Sequence, residues 1–131
     1  MIDVNTTVDE SNTGPDCSLR EAVQAASTNA LFGGCVAGQG TSDTIQLQAA
    51  TYTLTGAAGD ELNASGDLDV TAGGPLTVDG TADVNDVPTT TINGGGLDRI
   101  FDIRPDPGAV QFTARTSPVR GSVIVYAATP P

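Results

Sequence analysis

Residues 16–35 read DCSLREAVQAASTNALFGGC, and the role of this stretch decides the fold. Leu19, Ala22, Val23 and Ala26 recur at the spacing of one helical face. Ser18 and Glu21, three residues apart, form a capping box, each side chain taking up a backbone N–H that a helix start leaves without a partner. Gly33 and Gly34 suit the helix exit, where left-handed backbone is needed. The pattern predicts a short amphipathic helix within residues 17–32, with a narrow apolar stripe to bury. Such a helix more often plugs the open end of a β-structure than carries chemistry. Cys17 and Cys35 bracket it and fit a disulfide in an oxidising compartment, with two buried thiols as the alternative. Closing that loop would contribute about 3 kcal/mol in the chain-entropy model.

Outside this stretch the 131 residues suit a single domain, residues 1–131, with little help from helices. Sixteen Gly and eight Pro punctuate the chain, which favours many short strands and turns. Hydrophobic residues make up 38% but aromatic ones only 4%, so the core must be built from small and β-branched side chains. Apolar alternation recurs in TIQLQ, GDLDV and TTTIN, which sets Ile45, Leu68 and Thr90 in one series. A second series through TYTLT, PLTVDG, RIFDI and SVIVY sets Tyr52, Leu76, Phe101 and Val123 in register. Both repeat at spacings in the twenties, 22–25 residues, as stacked coils of a solenoid do. The expected fold is mainly β: a short right-handed parallel β-helix of three to four coils behind an N-terminal capping α-helix. An antiparallel β-sandwich or barrel is the alternative that short strands and turns also allow.

The hexapeptide CSLREA, Cys17–Ala22, resembles the motif that opens a family of exported bacterial right-handed parallel β-helix proteins. TIQLQAATYTLT and PLTVDGT further on are also similar to that family, so the resemblance spans about residues 3–104. It implies an N-terminal cap on a β-helix displayed at or beyond the cell surface, hence a secreted or cell-surface bacterial location. It implies no single catalytic activity and carries over no catalytic residue. Residues 105–131 depart from the family pattern: no acid follows Asp106, while Arg104, Arg115 and Arg120 cluster there. This atypical tail is either a last coil or the read-through of a truncated gene. A β-helix left uncapped at that end exposes a pairing edge, which leads to the expectation of a homodimer or of a tail folded over it.

Charge and composition exclude much of the enzyme catalogue. The net charge of −11, from 16 acidic against five basic residues, opposes nucleic-acid binding and favours divalent cations. Histidine is absent, so a Ser-His-Asp triad and a histidine zinc site are ruled out. Met1 leads directly into IDVNTTVDES, so neither a leader nor a transmembrane segment is expected there, although a mature exported chain with an added Met would read the same.

The plausible chemistry therefore rests on outward-facing acids. Asp67 and Asp69 alternate onto one strand face. Asp79, Asp83, Asn85 and Asp86 crowd one turn region and make up a candidate calcium set, although the glycine and distal glutamate of an EF-hand loop are missing. The register above puts Asp102 one coil beyond Asp79. Asp79 and Asp102, with Arg99 or Arg104 as an oxyanion partner, are the catalytic candidates for a calcium-dependent hydrolase. Its substrate would be an ester, a lactone or an acidic polysaccharide. The plainer expectation is a structural or adhesive scaffold with an acidic surface that binds calcium or glycans, its Asp and Asn chosen for turn geometry. Ser18, Arg20 and Glu21 are assigned to structure: two cap the helix, and Arg20 pairs with an acid of the first turn or covers strand ends. Asn5 and Asn63 head N-x-S/T sequons, relevant only in a eukaryotic secretory pathway.

Overall fold

The computed structural model describes residues 1–57, 59, 62–71, 74–85, 87–96 and 100–103, together with the backbone of strands Phe112–Arg115 and Val123–Tyr126. The architecture is mainly β with one helix. After β1 (Ile2–Asp3) comes α1 (Leu19–Thr28), then β2 (Asp43–Gln46), β3 (Thr51–Thr53), β4 (Leu68–Val70), β5 (Leu76–Asp79), β6 (Thr90–Asn93), β7 (Phe101–Ile103), β8 (Phe112–Arg115) and β9 (Val123–Tyr126). The strands form three sheets, ordered β1-β2-β5-β8, β3-β6-β9 and β4-β7. From β2 onward, each strand pairs with the one three elements later. Every ladder between these strands is parallel, so an antiparallel sandwich or barrel does not describe them, and no closed barrel forms among the described residues.

The register differs from the one expected from the apolar pentads. Ile2 stands beside Ile45, and Ile45 beside Val78. Tyr52 stands beside Ile92, and Leu68 beside Phe101. Ile45 and Leu68 therefore belong to different sheets, as do Tyr52, Leu76 and Phe101. The repeat of 22–25 residues compares strands of different sheets, whereas from β2 onward true partners stand three strands apart in the chain. Strands β8 and β9 fall within 105–131 and extend two of the ladders beside β5 and β6.

Aliphatic side chains stack along each ladder. Ile2, Ile45 and Val78 are buried one beside the next, and Ile92, Leu68 and Val70 fill the adjoining sheets. Removing each such side chain from water stabilises the fold by about 1.5–3 kcal/mol, which compensates for the scarcity of aromatic residues. Thr90 is fully buried without strain on hydrogen bonding: its hydroxyl donates to the Gln48 carbonyl at 2.7 Å and accepts from Thr81 N–H at 2.9 Å.

The helix packs its apolar face, Leu19, Ala22, Val23 and Ala26, into this same core. Ser18 is its N-cap and the capping box is complete: Glu21 N–H donates to Ser18 Oγ at 3.1 Å and Ser18 N–H to Glu21 Oε2 at 3.0 Å. The exit lies earlier than the glycine pair implied. Helix α1 stops at Thr28, and Asn29 takes the left-handed conformation at φ 52°, with its N–H bonded to the Ala25 carbonyl. Asn tolerates that region at modest cost. Gly33, also at positive φ (55°), belongs instead to the turn bridging Phe32 and Cys35. Gly34 packs so closely on the Pro15 and Asp16 backbone that a Cβ would overlap both. Cys17 and Cys35 form the disulfide and are both buried. Among the described residues no helix is long and apolar enough to cross a membrane.

Candidate functional site

Two polar centres lie beside the helix, and they share strand β4. The first is built around Arg20, whose side chain is only 1% exposed. Its guanidinium grips both carboxylate oxygens of Asp9, at 2.7 and 2.8 Å, and donates to the carbonyls of Asp67 at 2.9 Å and Gly66 at 2.7 Å. Asp9 Oδ2 also accepts from Thr55 N–H at 2.7 Å. Arg20 thus ties the N-terminal segment, the helix, the end of β3 and the entry to β4 into one network. A planar five-donor fork is the side chain suited to such a junction. The expected acid of the first turn is in fact Asp9, far upstream, and the strand-end role is filled by the 66–67 carbonyls. Asn63, buried with φ 58°, completes this centre. Its amide donates to the Arg20 carbonyl at 2.9 Å and exchanges bonds with Asp69, so this sequon asparagine serves the fold.

The second centre is acidic. Asp67 and Asp69 are buried, Asp102 is half-buried, and one oxygen from each lies within 4.8 Å of the other two. The parallel pairing of β4 with β7 sets Asp69 beside Asp102. The alternation of side chains brings Asp67 onto the face of Asp69. That face is covered rather than solvated, since all three residues of β4 are buried. Carboxylates so close repel one another and lose hydration, a cost that a cation relieves. Three oxygen ligands suit a hard divalent ion that keeps waters in its remaining positions. These three aspartates could hold a metal ion, and the donor set leaves the choice of ion open.

The other sequence candidates fall elsewhere. Asp79 ends β5 in a different sheet from Asp102, so the two are not coil neighbours; its register partners are Gln46 and Arg115. Asp83 shapes its own turn, its Oδ1 accepting from the N–H groups of Asn85 at 2.7 Å and Val87 at 3.1 Å. That is the turn-forming role open to Asp in such loops. Asn85 lies exposed in the same turn. Asp86, Arg99 and Arg104 lie outside the described residues. The Asp67–Asp69–Asp102 set was not anticipated as a unit because it depends on the pairing of two strands remote in sequence.

A further buried acid is Asp43, at the start of β2. Its Oδ1 accepts from Gln39 N–H at 2.8 Å, while Oδ2 is buried with no hydrogen-bond partner among the described residues. Burial raises its pKa above 3.8, opposed by the Gln39 hydrogen bond and by the positive N-terminus.

Comparison of the chain with protein-family models, with curated proteins and with solved structures finds no match in any of the three.

Proposed function

We propose that the chain winds as a short right-handed parallel β-helix and acts as an exported or cell-surface bacterial scaffold, its acidic surface binding calcium or glycans. The observation that carries this reading is the ladder pattern, in which every third strand returns to the same sheet in parallel. This is how a solenoid with three strands per coil builds its walls. The CSLREA resemblance supports the same winding, and the disulfide supports an oxidising destination. Every residue of the hexapeptide is occupied in holding the fold together. Cys17 closes the disulfide, Ser18 and Glu21 cap the helix, Leu19 and Ala22 fill the core, and Arg20 anchors its buried network. A segment so fully engaged in structure favours a scaffold.

Calcium is assigned to Asp67, Asp69 and Asp102 in this reading, and a second copy is assigned to the C-terminal edge. The alternative, a calcium-dependent hydrolase acting on esters, lactones or acidic polysaccharides, gains support from the same aspartates. It is disfavoured because its proposed pair, Asp79 and Asp102, stands on separate sheets.

The test compares wild type with Asp102→Asn in calcium and in EDTA, recording thermal unfolding and hydrolysis of a panel of those substrates. The scaffold predicts a calcium-dependent rise in the unfolding temperature that Asp102→Asn abolishes, without turnover. Turnover lost in both EDTA and Asp102→Asn would replace the scaffold with the hydrolase.

A further inference from the structure

A cleft of about 190 Å³ opens where the N-terminal segment passes the corner between β2 and β3, lined by Asn5, Thr6, Thr7, Gln48, Ala49, Ala50 and Tyr52. Its walls are fixed from behind. Asn5 exchanges bonds with Cys17: Cys17 N–H donates to Asn5 Oδ1 at 2.8 Å, and Asn5 N–H to the Cys17 carbonyl at 3.0 Å. Cys17 is itself held by the disulfide. On the other wall, Gln48 N–H donates to the Tyr52 hydroxyl at 3.0 Å, the Gln48 carbonyl accepts from buried Thr90, and Gln48 Nε2 reaches the Val4 carbonyl at 3.4 Å. These bonds fix which amide atom faces which way.

What remains in the cleft is unused hydrogen-bonding capacity of both kinds. Among the described residues, the Asn5 side-chain NH₂, the Thr7 hydroxyl and Gln48 Oε1 carry no bond, and the Tyr52 hydroxyl retains its proton for donation. Asn5, Thr7 and Gln48 are exposed at the mouth, whereas Tyr52 is buried at the floor beside half-buried Ala50. No carboxylate, lysine or arginine lines the cleft.

We infer that this cleft is a subsite for one ring of a neutral sugar. The deduction rests on the scaffold reading for its setting and deepens its glycan-binding part. Vicinal hydroxyls both donate and accept, which matches amide and hydroxyl side chains presented together, and a C–H face of the ring fits the alanine methyls. An anionic sugar is repelled by a molecule of net charge −11, and a cationic ligand finds no carboxylate in the lining. The volume lies below the roughly 300–1,000 Å³ of sites for drug-sized ligands, which limits the ligand to a single ring. A small, open site of this kind binds in the millimolar range.

The experiment titrates the ¹⁵N-labelled full chain with methyl glucoside, methyl galactoside and N-acetylglucosamine, with glucuronate as the anionic counterpart, and follows amide shifts. Saturable shifts at residues 5–7 and 48–50 are expected from at least one neutral sugar, with glucuronate at least about tenfold weaker. Gln48→Leu and Thr7→Val change exposed side chains and should leave the rest of the spectrum in place while weakening binding about tenfold or more. No saturable shift with any neutral sugar, equal binding of glucuronate, or binding untouched by both substitutions would overturn the site. These sugars are binding probes, so the outcome is independent of turnover. Absent shifts without hydrolysis in the substrate panel remove this subsite and leave the scaffold, whereas hydrolysis removes the scaffold even if saturable shifts keep the subsite.

Discussion

Replacing Arg20 by Met is the most demanding test of how the N-terminal cap is held. The substitution keeps an unbranched, helix-compatible stem but removes four hydrogen bonds, two to Asp9 and one each to the carbonyls of Gly66 and Asp67. The ion pair is shielded, with side chains 1% and 4% exposed, so the loss cannot be treated as that of a surface pair. Breaking a buried pair from one side costs about 3–5 kcal/mol, because the remaining charge stays desolvated. Asp9 keeps its bond from Thr55 N–H, which softens the penalty, while the stranded carbonyls add to it. The expected destabilisation is about 4 kcal/mol. With a urea slope of about 2 kcal/mol/M, the unfolding midpoint falls by about 2 M. Circular dichroism or fluorescence in urea measures this directly. A double-mutant cycle with Asp9→Asn should return a coupling of at least about 2 kcal/mol. A midpoint within about 0.5 M of wild type would refute the structural role of Arg20 and return the motif to the functional candidates.

Other consequences can be checked alongside. Converting both Cys17 and Cys35 to Ala should lower stability by about 3 kcal/mol, and reduction of the wild type should lower its unfolding temperature in parallel. Gly34→Ala should destabilise by at least about 2 kcal/mol, since the added methyl meets the Pro15 and Asp16 backbone rather than a movable side chain; an unchanged melting curve would show that this turn relaxes freely. Asp43 has a folded-state pKa above 3.8 because of burial, so the folded state binds its proton more tightly than the unfolded chain. Wild type should therefore gain stability relative to Asp43→Asn as pH falls through the folded-state pKa toward 3.8, a difference readable from denaturation curves of the two proteins across that range.

The parts of the molecule legible in its sequence are those fixed by neighbours along the chain. The Ser18–Glu21 capping box and the apolar stripe of α1 are local patterns, and both appear as read. The helix exit was displaced because two glycines invite a left-handed residue, yet Asn29 reached that conformation first. Strand positions were readable from Ile, Val and Thr alternation, but the register was not. Loops between consecutive strands differ in length, so pentads such as TIQLQ and GDLDV can be aligned without lying in one sheet. The same difficulty hid the acidic centre. Asp69 meets Asp102 only through β4–β7 pairing, and the face expected to be solvated is buried, with Asn63 N–H donating to Asp69 Oδ2. Asp9 and Asn63 gave no local sign of their part in the Arg20 network, because each acts on a group distant in sequence.

The ladder arrangement also gives the chain a direction in time. The disulfide and the capping box close within residues 17–35, so neither needs a partner from the later strands. The guanidinium of Arg20, however, must wait for the carbonyls of residues 66 and 67, and until they arrive its buried network is incomplete. Once β4 is seated, each later strand pairs with the one three strands before it, so the loop that each pairing closes is that short span rather than the whole chain. Assembly is therefore expected to be slowest up to the seating of β4 and templated thereafter.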